Sequence, residues 1–342
     1  MFLRTTLLNS WQHKNSLTFL LLPFAGVYGI VMLLRDKLYK SNFFKSYRAP
    51  IPVVVVGNIT VGGTGKTPLV IHLVELLKKQ GHNPGVISRG YTSKATNFPL
   101  TVTAETAVSL SGDEPLLIAR RTNAPMVIGP DRKAAIEQLI KEFDVDVIVS
   151  DDGLQHMAMQ RDIELCLFDK TVDSDNTYLL PAGPYRESMQ RLSSVDLVVE
   201  HSFERKGVEK VIAEHVMKAD SYEMQLQPAD PMLVNGGAQA LTPQVHAVAG
   251  IGNPTRFFNT CRQLGLDIIE HSFPDHYHYQ FVDIDFADEL SVLMTEKDAV
   301  KCLQFADERH NYLPVSAVLN NAFDEEFLNL LKQAIKKYTH VN

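Results

Sequence analysis

The sequence predicts an α/β fold with a doubly wound parallel sheet, a second, smaller α/β domain and an N-terminal membrane helix. Three observations lead to this prediction. Apolar strand-like runs alternate with segments of helical periodicity along most of the chain. The first of these runs leads into a glycine-rich turn, and the N-terminal region contains a long uncharged run. With 342 residues, the chain has room for two domains.

The N-terminal segment Ser16–Leu34 contains no charged residue and is long enough to cross or deeply enter a bilayer. More basic residues follow the segment than precede it, and this asymmetry predicts that the rest of the chain lies on the cytoplasmic face of an inner membrane. Those that follow are Arg35, Lys37, Lys40, Lys45 and Arg48, and those that precede are Arg4 and Lys14. The alternatives are a buried core helix and an interfacial helix that enters one leaflet.

Six strand-like runs predict the main sheet. Several are apolar on both faces, which is typical of central parallel strands. Helical periodicity between them, for example at Ile136, Leu139 and Phe143, predicts helices that cover the sheet. The runs are Pro52–Gly57, Gly85–Ser88, Met126–Gly129, Val145–Ser150, Glu164–Phe168 and Val195–Glu200.

The turn after the first strand has the features of a phosphate-binding P-loop. Its glycines let the backbone N–H groups approach phosphate oxygens, its lysine adds a positive charge, and its last threonine can bind Mg²⁺. The predicted nucleotide-binding residues are Gly62, Gly63, Thr64, Gly65, Lys66 and Thr67. A helix over Pro68–Gln80 follows and stops at Gly81, so the loop lies at a helix N-terminus that favours anions. The first position of the usual pattern is Thr60 rather than glycine.

The pattern changes near Tyr222, where apolar and polar residues alternate and prolines follow. We interpret residues 222–240 as an extended two-stranded linker. It separates a P-loop domain at 39–221 from a smaller C-terminal α/β domain at 241–342, and the membrane-associated helix occupies 1–38. The smaller domain is predicted to contain strands Val245–Ala249, Asp267–His271, Val292–Met294 and Val315–Leu319, and helices Thr255–Gln263, Lys297–Gln304 and Asp324–Lys337.

Charge and cysteine content exclude some classes of protein. The net charge of −7 argues against a general nucleic-acid-binding protein, which usually has a basic excess. The three cysteines, Cys166, Cys261 and Cys302, have neither metal nor redox spacing, so we expect buried, reduced thiols in a protein that faces the cytosol.

Two carboxylates, Asp151 and Asp152, end the apolar run Val147–Ser150. Carboxylates at the end of a strand beside a phosphate loop hold Mg²⁺ or its waters in phosphoryl-transfer folds. A helix-capping role is the alternative, but the nearby P-loop favours a metal site.

The run Asp151–His156, taken together with the P-loop, resembles the tetraacyldisaccharide 4′-kinase family, the lipid A 4′-kinases. Further motifs resemble the family in the same order, and together they span nearly the whole chain. They are Gly62–Pro68, Ser88–Tyr91, Gly112–Pro115, Gly129–Arg132, Pro181–Glu187, Ala249–Pro254, Phe273–Tyr277 and Thr295–Lys301.

The resemblance implies a P-loop kinase that uses ATP and Mg²⁺ to phosphorylate the 4′-hydroxyl of a tetraacylated glucosamine disaccharide 1-phosphate. The product would be lipid IVA, in lipid A biosynthesis. The implied partners are this lipid and the membrane, with no nucleic acid and no required protein. The resemblance also implies that Asp113 acts as the base, assisted by His276. Because these two residues lie in different predicted domains, the pair requires the domains to face each other.

The roles of other polar residues are less specific. Arg132, Arg186 and Glu187 are candidates for contacts with phosphate or substrate, and surface ion pairs are their alternative. For Asp113 the alternative is a helix N-cap, and for His276 a loop histidine without a catalytic role. Thr295 with Asp298 three residues later suggests a helix cap, which would make Lys297 an ordinary residue of a first helical turn.

Two other functions fit parts of the sequence. An accessory P-loop NTPase that acts as a membrane-associated chaperone or switch would share the fold, but a soluble switch would need neither the membrane run nor His276. A membrane scaffold without catalytic activity would not need Lys66, Thr67, Asp113, Asp151 and Asp152. The kinase is therefore the favoured function.

Overall fold

The computed structural model describes residues 10–169, 176–201, 220–238 and 240–339. Its first helix, α1, spans Ser16–Lys40, and Asn15 caps it by accepting hydrogen bonds from the N–H groups of Leu17 and Thr18. Among the described helices, only α1 is long and apolar enough to cross a membrane, and 11% of its most apolar window is buried. A buried core helix, one of the alternatives for this segment, is therefore wrong.

The main sheet has nine strands and follows α1. The strands are β1 (Val53–Gly57), β2 (Pro84–Ser88), β3 (Leu100–Val102), β4 (Met126–Ile128), β5 (Val147–Asp151), β6 (Ile163–Asp169), β7 (Leu197–His201), β8 (Asp220–Pro228) and β14 (Val315–Leu319). Their order is β14-β8-β7-β6-β1-β5-β2-β4-β3. The pairs from β8 to β4 are parallel, and the edge strands β14 and β3 are antiparallel to their neighbours.

Apolar residues on both faces of β1 explain its central place in this sheet. Val54 and Val56 pack into one core with Leu69 and Leu73 of α2, whereas Val53 and Val55 point to the opposite face. The helices of this part are α2 (Lys66–Lys79), α3 (Val108–Ser111), α4 (Asp113–Thr122) and α5 (Arg132–Glu142), with a 3₁₀ helix at Met189–Ser194. Burial on both faces confirms the doubly wound α/β fold.

A second sheet has five strands. They are β9 (Met232–Leu233), β10 (Gln244–Ala249), β11 (Asp267–Ser272), β12 (Ser291–Thr295) and β13 (His310–Leu313), in the order β11-β10-β12-β13-β9. The pairs are parallel except at β9. Its helices are α6 (Pro254–Gln263), α7 (Phe281–Ile284) and α8 (Glu296–Cys302).

The C-terminal segment returns to the first sheet. This placement differs from the prediction, in which the smaller domain includes all of 241–342. β14 pairs with β8, and the last helix, α9 (Asn321–Thr339), places Phe323 and Phe327 in the core that contains Leu69. The ribbon expected within 222–240 therefore consists of β8 and β14, which are far apart in sequence, while β9 joins the second sheet. Sequence periodicity reveals a strand but not its partner, so this pairing was not predictable.

Candidate active site

The phosphate loop joins β1 to the N-terminus of α2, as the sequence predicts. Gly65 precedes the helix with a φ of 93°, and Gly62 has a φ of 120°. A side chain at either position would strain the backbone. No side chain caps the helix at Gly65, so its first N–H groups are not taken up by a capping side chain. A 14-residue helix that begins this way offers an anion site suited to phosphate groups.

Lys66, the first residue of α2, lies between two polar side chains. Its Nζ donates a hydrogen bond to Asn58 Oδ1 at 3.1 Å and lies 3.4 Å from Asp152 Oδ1. Its side chain is only 12% exposed, so the ammonium is oriented before any nucleotide binds.

Asp151 ends β5, the strand that pairs with β1, and register places it beside Val56. It is almost fully buried, and Oδ2 accepts a hydrogen bond from Ser88 at 3.1 Å, while Oδ1 has no partner among the described residues. Burial, with the nearby charges of Glu114 and Asp152, raises the pKa of Asp151 to about 7. A buried carboxylate oxygen without a partner is suited to a cation.

These residues fit a magnesium ion that is shared with the nucleotide. Among the described residues, no group of three or more histidine, cysteine or acidic side chains could hold a metal ion alone. Mg²⁺ binds few protein groups and takes its other ligands from water and substrate phosphates. Asp151, Asp152 and Thr67 together with phosphate oxygens would therefore suffice, and the partnerless oxygen of Asp151 agrees with this.

Asp152 follows β5 and has a φ of 49°, a conformation that is uncommon outside glycine. Burial would raise the pKa of Asp152, but Lys66 and Arg186 outweigh that effect and lower it. Arg186 Nη1 lies 3.2 Å from Asp152 Oδ2 and 3.3 Å from Gln155 Oε1. Gln155 in turn donates a hydrogen bond to Glu187 at 2.7 Å. Lys66, Asp152, Arg186 and Glu187 thus form one connected polar group.

Arg132 lies at the start of α5 and is 2% exposed, so it is not a surface ion-pair residue. Its guanidinium donates hydrogen bonds to the carbonyl oxygens of Gly129 and Asp151, each at 3.1 Å. Burial lowers the pKa of Arg132 to about 10. Arg132 therefore stabilises the carboxyl end of β5, and a contact between Arg132 and phosphate stays a prediction.

The structure brings Asp113 and His276 together from distant parts of the sequence. His276 Nδ1 lies 2.8 Å from Asp113 Oδ2 and 3.1 Å from Oδ1. Asp113 is 3% exposed. Burial would raise its pKa, but the hydrogen bond with His276 and the charge of Lys297 lower the pKa of Asp113 to about 2. The carboxylate is therefore ionised and can accept a proton or a hydrogen bond.

Asp113 is the first residue of α4. Gly112 precedes it with a φ of 82°, and a Cβ atom at Gly112 would lie 2.6 Å from the carbonyl oxygen of Tyr91. The N-cap position therefore belongs to Gly112, so the N-cap alternative for Asp113 is wrong. His276 has a φ of 59°, a backbone conformation that often occurs at functional sites.

The two sheets face each other across the phosphate loop. A Cβ atom at Gly252 would lie 3.5 Å from the backbone nitrogen of Gly63. Arg256 of α6 donates a hydrogen bond to Asp169 at the end of β6 at 2.9 Å. The segment after β10 therefore lies against the loop expected to bind ATP.

Several residues of this site were missed by reasoning on the sequence. Lys297, taken there as an ordinary helical residue, lies 2.9 Å from Glu114 and 3.4 Å from Asp275. Thr295 does cap α8, as the sequence suggests. The available signal was an additional acidic residue beside each proposed functional residue, Glu114 next to Asp113 and Asp275 next to His276.

Comparison with known proteins places the chain in a family. The family model described as tetraacyldisaccharide-1-P 4′-kinase (LpxK) matches residues 17–332. The tetraacyldisaccharide 4′-kinase of Nitrosococcus oceani is 42% identical over 98% of this chain and 97% of its own length. The corresponding protein of Shewanella frigidimarina is 44% identical over 94% of both chains.

A solved structure supports the same assignment. The crystal structure of LpxK from Aquifex aeolicus in complex with ATP superposes with a TM-score of 0.78 at 28% identity, and it covers 93% of this chain and 99% of that one. The family match includes α1, both sheets and most of α9. The chain therefore belongs to the tetraacyldisaccharide-1-phosphate 4′-kinase family.

Proposed function

We propose that the cleft between the two sheets transfers the γ-phosphoryl group of ATP to the 4′-hydroxyl of a tetraacyldisaccharide 1-phosphate, giving lipid IVA. The family assignment makes the chain an ATP-dependent kinase of lipid A biosynthesis. The accessory NTPase is not favoured, because the family match extends beyond the P-loop region to residue 332. The observation that carries the residue-level proposal is the contact between Asp113 and His276 across the cleft.

In this proposal the phosphate loop holds the nucleotide. The N–H groups of Gly62, Gly63, Thr64 and Gly65 surround the phosphate oxygens, and Lys66 neutralises charge that develops during transfer. Mg²⁺ would be held by Thr67, Asp151 and Asp152 and would supply further neutralisation of phosphate charge.

Asp113 accepts the proton of the substrate hydroxyl, and His276 orients the carboxylate. A base with a pKa of about 2 is weak. Phosphoryl transfer has a loose transition state in which positioning and charge stabilisation dominate, so a well-placed weak base suffices. Its low pKa also keeps Asp113 ionised at neutral pH.

Arg186 and Glu187 are proposed contacts of the phosphate or of the substrate. Arg186 forms an ion pair with Asp152, which is proposed to hold the metal. An incoming phosphate would therefore compete with the Asp152 carboxylate for the guanidinium of Arg186. Glu187 lies next along the chain and accepts a hydrogen bond from Gln155. A polar substrate group could exchange with Gln155 at this position.

Closure of the cleft is proposed to exclude water during transfer. The support is the approach of Gly252 to Gly63 and the position of Asp113 and His276 on opposite sides of the cleft. A water-excluding closure would limit wasteful hydrolysis of ATP.

The N-terminal helix α1 is compatible with membrane association. We propose that it attaches the kinase to the cytoplasmic face of the inner membrane, since basic residues cluster after the apolar run. Its large exposed apolar side chains support this, and they are Phe19, Leu20, Phe24, Val27, Ile30, Val31, Leu33 and Leu34. We expect the full-length protein to fractionate with inner membranes after a salt wash, and recovery wholly in the soluble fraction would contradict the proposal.

The reaction is tested by transfer of label from γ-³²P-ATP to the tetraacyldisaccharide 1-phosphate in detergent micelles, with and without Mg²⁺. A labelled lipid that forms only with Mg²⁺ is the expected result. Release of labelled inorganic phosphate without labelled lipid would instead support the accessory NTPase.

A further inference from the structure

Lys297 lies beside Asp113 and His276, at the interface between the two sheets. It is the second residue of α8, and its side chain is 19% exposed. Its Nζ lies 2.9 Å from Glu114 Oε1, 3.4 Å from Asp275 Oδ1 and 3.8 Å from Asp113 Oδ2. One ammonium group thus faces three carboxylates.

The same ammonium group lies 3.5 Å from His276 Nε2. An ammonium group can only donate hydrogen bonds, so Nε2 must present its lone pair to Lys297. The ring proton of a neutral His276 then resides on Nδ1, the atom that lies 2.8 Å from Asp113. The Nδ1–H group can donate to the carboxylate, so the two contacts of the imidazole are consistent with one tautomer.

The charge balance of the cluster also depends on Lys297. Burial would lower the pKa of Lys297, but Glu114, Asp113 and Asp275 outweigh that effect and raise it, so the ammonium stays charged. Its charge is one cause of the low pKa of Asp113. Asp275 Oδ2 lies 3.7 Å from His276 Nε2. Without the ammonium, an Nε2–H group could point to Asp275 instead, and the other tautomer of His276 would compete.

Lys297 and its neighbour Glu296 both connect α8 to α4. Lys297 pairs with Glu114 in the first turn of α4, and Glu296 pairs with Arg121 in the last turn at 2.7 Å. Of these two ion pairs, only the one with Lys297 involves a residue that also contacts His276. Glu296 therefore offers a matched control on the same helix and interface.

We propose that Lys297 is a positioning residue, whose ammonium group holds His276 in the Nδ1–H tautomer that faces Asp113 and fixes the first turn of α8 against Glu114. This inference rests on the proposed function of Asp113 and His276. Lys297 is not proposed to touch the substrate or the transferred phosphate.

The kinetic test compares full-length Lys297→Met, Lys297→Arg and Glu296→Gln in the labelled-ATP assay. We expect Lys297→Met to lower kcat by about 10- to 100-fold, the effect of losing a hydrogen bond to a charged group, with the KM for ATP nearly unchanged. Lys297→Arg, which keeps the charge, should recover part of the loss. Glu296→Gln should change kcat less than about threefold, because Arg121 can still donate to the amide oxygen.

A second measurement separates positioning from general stabilisation. His276→Gln has no imidazole to be oriented. Adding Lys297→Met to that variant should therefore lower kcat by a much smaller factor than Lys297→Met does in the parent. The ¹⁵N shifts of His276, assigned by their absence in His276→Gln, should show the ring proton on Nδ1 in the parent and a shift of that proton toward Nε2 in Lys297→Met. The parent spectrum tests the tautomer by itself, so a ring proton on Nε2 in the parent would overturn the proposal even if Lys297→Met does not fold.

Equal losses in the two backgrounds, or unchanged ring-nitrogen shifts in Lys297→Met, would overturn the proposal. An unchanged kcat in Lys297→Met would overturn it too. If Asp113→Asn still lowers kcat strongly in that case, the proposed base survives and only the role of Lys297 is lost. If Asp113→Asn is also fully active, the base assignment itself fails.

Discussion

Replacing Asp113 and His276 singly and together tests whether they act as one unit. Asp113→Asn retains the size of the side chain but removes the base. General base catalysis contributes roughly 10²- to 10⁴-fold, so we expect a loss of this size in kcat. His276→Gln removes a hydrogen bond to a buried carboxylate whose N···O distance is 2.8 Å. Such bonds are worth about 1.5–3 kcal/mol, which corresponds to a loss of roughly 10- to 150-fold.

The assay measures transfer from labelled ATP at saturating ATP and saturating lipid for the parent, both single variants and the double variant. If His276 acts only through Asp113, the double variant should be about as slow as Asp113→Asn alone. The KM for ATP should change little, since neither residue belongs to the phosphate loop. Chemical unfolding of each variant controls for loss of the fold.

The pH dependence gives a further check. Asp113 has a pKa of about 2 in the folded protein, below its ordinary value of 3.8. The carboxylate is therefore ionised throughout the neutral range, and the ratio of parent to Asp113→Asn kcat should be constant there. Losses that multiply fully in the double variant would refute the coupled pair. A parent-like kcat in Asp113→Asn would refute the base.

Three further predictions address the phosphate loop, the metal and the C-terminal helix. Lys66→Ala should lower kcat about 100-fold or more at saturating ATP, because charge stabilisation at the phosphates is lost, and near-normal turnover would exclude this role. Asp151→Ala and Asp152→Ala should each impair Mg²⁺-dependent turnover, and a parent-like Mg²⁺ titration with parent-like rates in both would remove the metal assignment. Phe327→Ala should lower the free energy of unfolding by about 3–5 kcal/mol, since Phe327 is fully buried in the core of the main sheet. Its control in the same denaturant titration is Phe281→Ala, at a side chain that is 43% exposed, and equal losses in the two would contradict the placement of α9.

Local patterns predicted the elements that position the phosphate loop. The apolar run at Val53–Val56 becomes β1, and the periodicity after Thr67 becomes α2, because both are buried against the same sheet. The carboxylates after Ser150 lie beside the loop because β5 pairs directly with β1. Each of these inferences needed only hydrophobic periodicity and the geometry of parallel strands.

The sequence did not predict which strands pair when they lie far apart along the chain. β14 has the alternating pattern of a strand, yet nothing in that pattern shows that it pairs with β8 in the first sheet. The short strand β3 and the helix α4 were not predicted. β3 has only three residues, so its periodic signal was weak, whereas the buried apolar face of α4 was overlooked.

The candidate site also depends on contacts between residues that are far apart in the sequence, and periodicity does not reveal such contacts. The pairing of Asp113 with His276 came from the family resemblance, because a separation of 163 residues gives no physical signal of contact. The role of Lys297 in the cluster was missed, since its partners come from α4 and from the loop after β11. Charges that converge from three segments become visible only when the chain is folded.

The contacts of α1 connect this exposed apolar helix to the same site. The Tyr28 hydroxyl donates a hydrogen bond to the backbone carbonyl oxygen of Arg186 at 3.0 Å. On the preceding segment, Trp11 Nε1 donates to the carbonyl oxygen of Pro181 at 2.9 Å. Arg186 in turn pairs with Asp152, which lies 3.4 Å from Lys66. Three successive contacts therefore connect the helix with exposed apolar side chains to the phosphate loop. Under the membrane attachment proposed for α1, these contacts would place the phosphate loop close to the bilayer surface, where a lipid substrate could reach it without leaving the membrane.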